Sequence, residues 1–114
     1  MNKVILNETE YGEVIKRAIE LAHCLLASNE DYLDNVLEIN RLGHELVSEV
    51  WGTEFHVFGV IASDTDHLPT KKVRPHCSQS MLTKSDEELE DIIKFYKADV
   101  SHACHEILAK YENV

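Results

Sequence analysis

The residues of this sequence best suited to chemistry are its histidines and cysteines, which gather at His23-Cys24, His76-Cys77 and His102-Ala103-Cys104-His105. Imidazole nitrogen and thiolate sulfur are the usual ligands of zinc, so a metal centre is the first reading to weigh. Spacing argues against it. No Cys-x-x-Cys or His-x-x-x-His pair occurs, and those are the spacings that bring two ligands to one ion. Helical phase turns Cys24 to the solvent side of its helix and Cys104 to the buried stripe of another, with His102 and His105 on the polar side of that second helix. The clusters do not converge, and the sequence implies neither a metal site nor a cofactor.

Two further arrangements carry reactive groups. The apolar run before Asp64-Thr65-Asp66 ends in Asp-x-Asp, a pair that phosphoryl-transfer enzymes use as nucleophile and acid beside magnesium. That chemistry needs a parallel α/β sheet, which a single expected strand cannot supply. Asp64 and Asp66 are better read as capping a turn or pairing with Lys71, Lys72 or Arg74. Cys77 is the second case, as a nucleophile with His67 or His76 as base and Asp66 as orienter, all in one loop. Adjacent residues in an extended chain point to opposite sides, so His76 is poorly placed to serve Cys77. An ordinary packing thiol is the simpler account, and no residue is assigned a catalytic role.

What remains are binding candidates. Asn40 and His44, one turn apart, interrupt the apolar side of a helix, where a polar group fixes packing register or lines a small pocket. Lys71-Lys72-Val73-Arg74 is the one basic cluster, able to grip an anion or to offset Asp64 and Asp66. Asn40, His44, Asp64, Asp66, His67 and Arg74 are thus the candidate site residues.

These groups must be positioned by helices. Asn7, with Glu10 three residues on, is a fitting N-cap for a first helix to about Ala27, whose apolar arc of about 160° suits docking on one face. Ser28-Asn29-Glu30-Asp31 is a short connection, which makes the next helix an antiparallel neighbour. That second helix, Glu30 to Trp51, has an apolar arc of about 220° and reads as the central member, with Gly52 as its stop. Glu54 to Ala62 is rich in β-branched and aromatic residues, with Phe55, Val57, Gly59 and Ile61 alternating against His56, Phe58, Val60 and Ala62. It reads as a strand. Its ladder partner would be Lys72 to His76, the residues near Val4, or a second subunit. Ser85-Asp86-Glu87-Glu88 is a capping box that opens a third long helix to about Tyr111. Lys3 to Leu6 suit a short strand or a helix lead-in equally.

The expected fold is therefore mainly α with a minor β part: a single domain over residues 1–114, of three antiparallel helices with one short β element, strand or hairpin, between the second and third. A chain of 114 residues is one domain by length. An apolar fraction of 44% and a charged fraction of 28% exclude disordered and fibrous classes. Twenty-one acidic against 11 basic residues leave a formal charge of −10, which opposes nucleic acid and anionic membranes and favours a basic protein partner. Three cysteines without a close-spaced framework suit a reducing compartment, and the start lacks a signal peptide, so the expected location is the cytoplasm. The wide arc of the second helix and the two-faced strand exceed what one small chain can cover, so a homodimer is expected. The function expected is a small acidic, non-enzymatic protein-interaction module of a bacterium, of an immunity, antitoxin or regulatory kind. The alternative is a small-molecule-binding protein or cryptic enzyme using the loop from Asp64 to Cys77, completed by His44 or Glu54.

Overall fold

The computed structural model describes residues 7–47 and 49–112, which leaves the segment from Lys3 to Leu6 outside the described residues. Helix α1 spans Glu8–Ala27 and begins where Asn7 allows it. The Asn7 carboxamide oxygen accepts from the Glu10 N–H at 2.8 Å and its amide donates to the Glu10 carboxylate at 2.9 Å, which satisfies one of the free N–H groups of the first turn. Ala18, Leu21, Ala22 and Leu25 form its buried stripe.

Helix α2 spans Tyr32–Leu46, after Asp31 turns the chain with a left-handed φ of 53°. Tyr32, Leu33, Val36, Ile39, Leu42, Gly43 and Leu46 are its buried residues, an arc of about 180° at 100° per residue. Leu37 is half-buried at the edge of that arc. The helix ends at Leu46, short of the expected limit at Trp51. Trp51 is 74% exposed. Val47 is extended, its N–H bonded to the Gly43 carbonyl at 3.0 Å. Gly52, with φ 77°, serves the turn that follows rather than the helix terminus.

The next element corrects the expected strand. His56–Asp64 is a helix, α3, and among the described residues there is no strand. The physical reason lies in which face can be buried. A strand would turn Phe58 away from Phe55 and Ile61, whereas a helical period puts all three on one side, with Thr65 and Leu68 continuing the stripe. Phe55 and Phe58 are fully buried and Ile61 nearly so, and the extra buried phenylalanine is worth roughly 1.5–3 kcal/mol. A helix also satisfies its own backbone groups, whereas a strand here would have no ladder partner. Thr53 prepares the start: its hydroxyl donates to the Val50 carbonyl at 2.6 Å and accepts from the Phe55 N–H at 3.2 Å.

A 3-10 turn at Arg74–His76 leads into α4, Gln79–Ile107. Ser78 is its N-cap, accepting from the Met81 N–H at 3.2 Å, so the helix begins before the Ser85 capping box. At about 1.5 Å per residue it is about 43 Å long, close to the 46 Å long dimension of the molecule. No residue of α4 before Ile93 is buried. A π-helical turn, Leu108–Glu112, closes the described chain and buries Tyr111.

Four helices, not three, enclose the core. The pairs Arg17 with Glu38, Glu54 with Tyr111 and Asp64 with Tyr96 show that α2 runs antiparallel to α1 and α3 antiparallel to α4. Both α1 and α3 pack against both α2 and α4. One apolar cluster draws on all four, from Leu21 through Val36 and Phe58 to Ile107.

Candidate functional site

The structure separates the candidate residues into two regions. Asn40 lies on the side of α2 that meets α3, where its carboxamide oxygen is buried without a hydrogen-bond partner. A Cβ on Gly59 would stand 3.3 Å from that oxygen, so the glycine is what allows the two helices to approach at this point. His44, one turn further on, is exposed.

Asp64 ends α3, and Asp66, His67 and Arg74 follow in the connection to α4. The Tyr96 hydroxyl donates to Asp64, which raises the tyrosine's pKa, since the bonded proton beside a carboxylate is harder to remove. His67 is hydrogen-bonded to Glu88 and stands 3.8 Å from Asp66. Arg74 donates to both oxygens of Asp86 at 2.7 and 3.1 Å, and the guanidinium holds that carboxyl below its usual range. Lys71 donates its N–H to Asp34 at 3.2 Å and places its ammonium 3.5 Å from Asp31. The loop is thus fastened to α4 through Arg74 and His67 and to the start of α2 through Lys71, whereas Asp66, 84% exposed, meets only the neighbouring His67 among the described residues. The acid run Asp86 to Glu88, which resembled a helix start, provides two of the anchors. Cys77 is half-buried with its thiol 3.7 Å from the Val73 carbonyl, and His76 is exposed. A cavity of about 300 Å³ beside Asp31, Asp34, Lys71 and Arg74 is lined by charges that already neutralise one another.

A different arrangement stands between α3 and α4. An open groove of about 340 Å³ has Val57, Val60 and Ala103 as apolar lining and Glu54, Asp99 and Glu106 as acids along it, with the Tyr96 ring and His56 completing its sides. Helical phase builds it. Phe55, Phe58 and Ile61 take the inner side of α3, so Val57 and Val60 turn outward toward α4. On α4, Tyr96, Asp99, Ala103 and Glu106 follow one another at spacings of three and four and share a stripe. At one end of the groove the Glu54 side chain, only 9% exposed, receives the Tyr111 hydroxyl at 3.2 Å and the Lys110 ammonium at 3.1 Å. Burial, followed by the Glu54 carboxylate, pushes the Tyr111 hydroxyl's pKa upward. His102 lies 2.9 Å from Glu106. Asp99 has no ion-pair partner among the described residues. Trp51 packs against His56 with ring centroids 4.1 Å apart and planes tilted by 46°, and the His56 Nε2 is buried without a partner among the described residues.

None of His56, Asp99 or Glu106 was a candidate from sequence, and Glu54 was one only as a residue completing the loop from Asp64 to Cys77. The α4 stripe was legible as a spacing, but it faces a groove only if residues 56 to 64 are helical. Among the described residues no three His, Cys, Asp or Glu side chains are grouped to hold a metal ion, and no helix is long and apolar enough to cross a membrane. Compared with known proteins, the chain matches no family model, no curated protein and no solved structure.

Proposed function

We propose that this chain is a non-enzymatic interaction module that docks a basic protein on its acidic helical surface. One observation carries the reading: six of the ten lysines and arginines among the described residues are paired with the chain's own carboxylates. Arg17 sits on Glu38 and Glu20, Arg41 on Glu45, Lys71 on Asp31, Arg74 on Asp86, Lys94 on Glu90, and Lys110 on Glu54. With a formal charge of −10, acids left over, such as Glu30 and Asp99, are exposed and make no ion pair among the described residues. Such a field steers a basic partner and repels nucleic acid. A bacterial immunity or antitoxin protein acting on a basic toxin is the class that best fits this size and charge. The interaction reading is further supported by the loop from Asp64 to Cys77, where Lys71, Arg74 and His67 engage the chain's own carboxylates. Self-association is a second contact, through large apolar side chains left in solvent: Phe95 is 76% exposed and Met81 53%.

The test is capture on immobilised protein from the source cells, followed by elution in a rising salt gradient. A basic protein that elutes with salt, and whose purified form rebinds with affinity falling steeply as ionic strength rises, is the expected result. A partner that is neutral or acidic, or one indifferent to salt, would overturn the reading.

A further inference from the structure

Resting on the reading that the partner is basic, we propose that the groove between α3 and α4 receives one lysine or arginine side chain of that partner. The chemistry of the lining selects this occupant. A long basic side chain has an aliphatic stem and a charged head, and it gains most where apolar surface lies beside carboxylates. Val57, Val60 and Ala103 offer the first, and Asp99 with Glu106 the second. The Tyr96 ring adds a face on which a cation can rest. A volume of about 340 Å³ falls at the lower end of ligand cavities, about 300–1,000 Å³, which suits a single side chain.

The molecule already performs this recognition once with a side chain of its own. Lys110 lays its ammonium 3.1 Å from the Glu54 carboxylate and 5.4 Å from the centre of the Tyr111 ring, at the end of the same groove. Asp99 and Glu106 repeat the carboxylate half of that arrangement, but Asp99 faces no cation among the described residues and Glu106 only the imidazole of His102. A negatively charged or purely apolar segment would leave Asp99 unpaired and lose that attraction. Trp51, the one tryptophan of the chain, packs against the groove-lining His56 and reports on the site by its fluorescence.

The test uses the full chain and a peptide of about eight residues alternating arginine and glycine, with a glutamate-glycine peptide as control. Binding is followed by Trp51 fluorescence and by backbone amide shifts, at about 20 mM and about 300 mM salt. The arginine peptide is expected to shift amides of α3 and of α4 around Asp99, to bind less tightly at high salt, and to lose at least about fivefold in affinity in the Asp99→Asn, Glu106→Gln double variant. A charge-matched double variant elsewhere, Glu13→Gln with Glu49→Gln, is expected to lose less than about twofold. Equal losses in the two double variants, or shifts confined to α1 and α2, would overturn the groove as the site while leaving a basic partner in place. Absence of any salt-sensitive preference for arginine over glutamate would overturn both. Thermal unfolding of each variant separates lost binding from lost fold, since all four positions are solvent-facing in their helices or loop.

Discussion

The ring of Phe55 occupies the space that any side chain at residue 43 would need. A Cβ on Gly43 would come within 2.6 Å of Phe55 Cγ and 2.8 Å of its Cβ. Phe55 is fully buried, so it has nowhere to retreat. Gly43→Ala would gain about 1 kcal/mol of helix propensity, yet overpacking of this kind costs typically about 1–3 kcal/mol, and the ring is held by its own core neighbours. The expected outcome is a net loss of about 1–2 kcal/mol in urea unfolding. Restoring stability with Gly43→Ala plus Phe55→Leu would identify the clash as the cause. A single variant as stable as the parent would show that α2 and α3 can slide apart at no cost.

Asn40 is a different kind of contact. Its carboxamide oxygen is buried and unpartnered against Gly59. Leaving such a group unsatisfied costs about 1–3 kcal/mol, and an apolar isostere removes the cost. Asn40→Leu is therefore expected to raise the denaturation midpoint, by an amount worth about 1 kcal/mol. A lowered midpoint would mean that the oxygen has a partner in solution, an ordered water being the natural one.

What could be read from sequence follows the strength of the local signal. Asn7 with Glu10, and the stripe from Ile93 to Ile107, each satisfy only a helical pattern, and α1 and the body of α4 appear where expected. The run from Phe55 to Ile61 fits two patterns at once, because most of its positions are apolar and periodicity over so short a stretch does not choose between 2 and 3.6. Tertiary packing decided between them, through Gly43 and Gly59 admitting a close helix. The start of α4 was misplaced for a related reason: Ser85 opens a valid capping box, but Ser78 caps first, and Arg74 and His67 occupy the acids that the box supplies. Of the candidate site, the loop residues do lie together, yet only their partners on α2 and α4 reveal that they anchor. Those partners are distant in sequence and carry no local signal. The groove depends on α3 being a helix, so it was beyond reach until the fold was known.

The Arg17 to Glu38 pair gives the fold a defined pH response. Both nitrogens of the guanidinium fork reach the carboxylate, at 2.7 and 2.9 Å. That hydrogen bonding holds the Glu38 pKa below its ordinary value of 4.5. A group whose pKa is depressed by folding stabilises the native state above its unfolded pKa, and the contribution is lost as pH falls through the folded value. The Arg17→Met variant is expected to be less stable than the parent at pH 7, by under about 1 kcal/mol because the pair is partly solvated. The gap should close as the pH is lowered below the ordinary glutamate range. Parallel unfolding curves at neutral and acid pH provide the measurement, and a gap that persists undiminished in acid would assign the loss to the packing of the arginine stem instead.

The thiols report on the packing of α1 against α4. Cys24 is exposed, Cys77 half-buried, and Cys104 fully buried. Burial pushes the Cys104 thiol up to about 12, so at pH 8 it holds almost no thiolate, and the thiolate is the form that reacts. Tyr32, also buried, has its hydroxyl pushed up to about 12 and adds no acid strength nearby. With iodoacetamide at pH 8, peptide mapping should find Cys24 modified first, Cys77 more slowly, and Cys104 only when denaturant opens the core. The rate at Cys104 then measures opening of the helix pair rather than chemistry at the sulfur. Modification of Cys104 in the folded protein at the pace of Cys24 would mean that α4 does not stay docked on α1, and the ring of four helices would have to be abandoned.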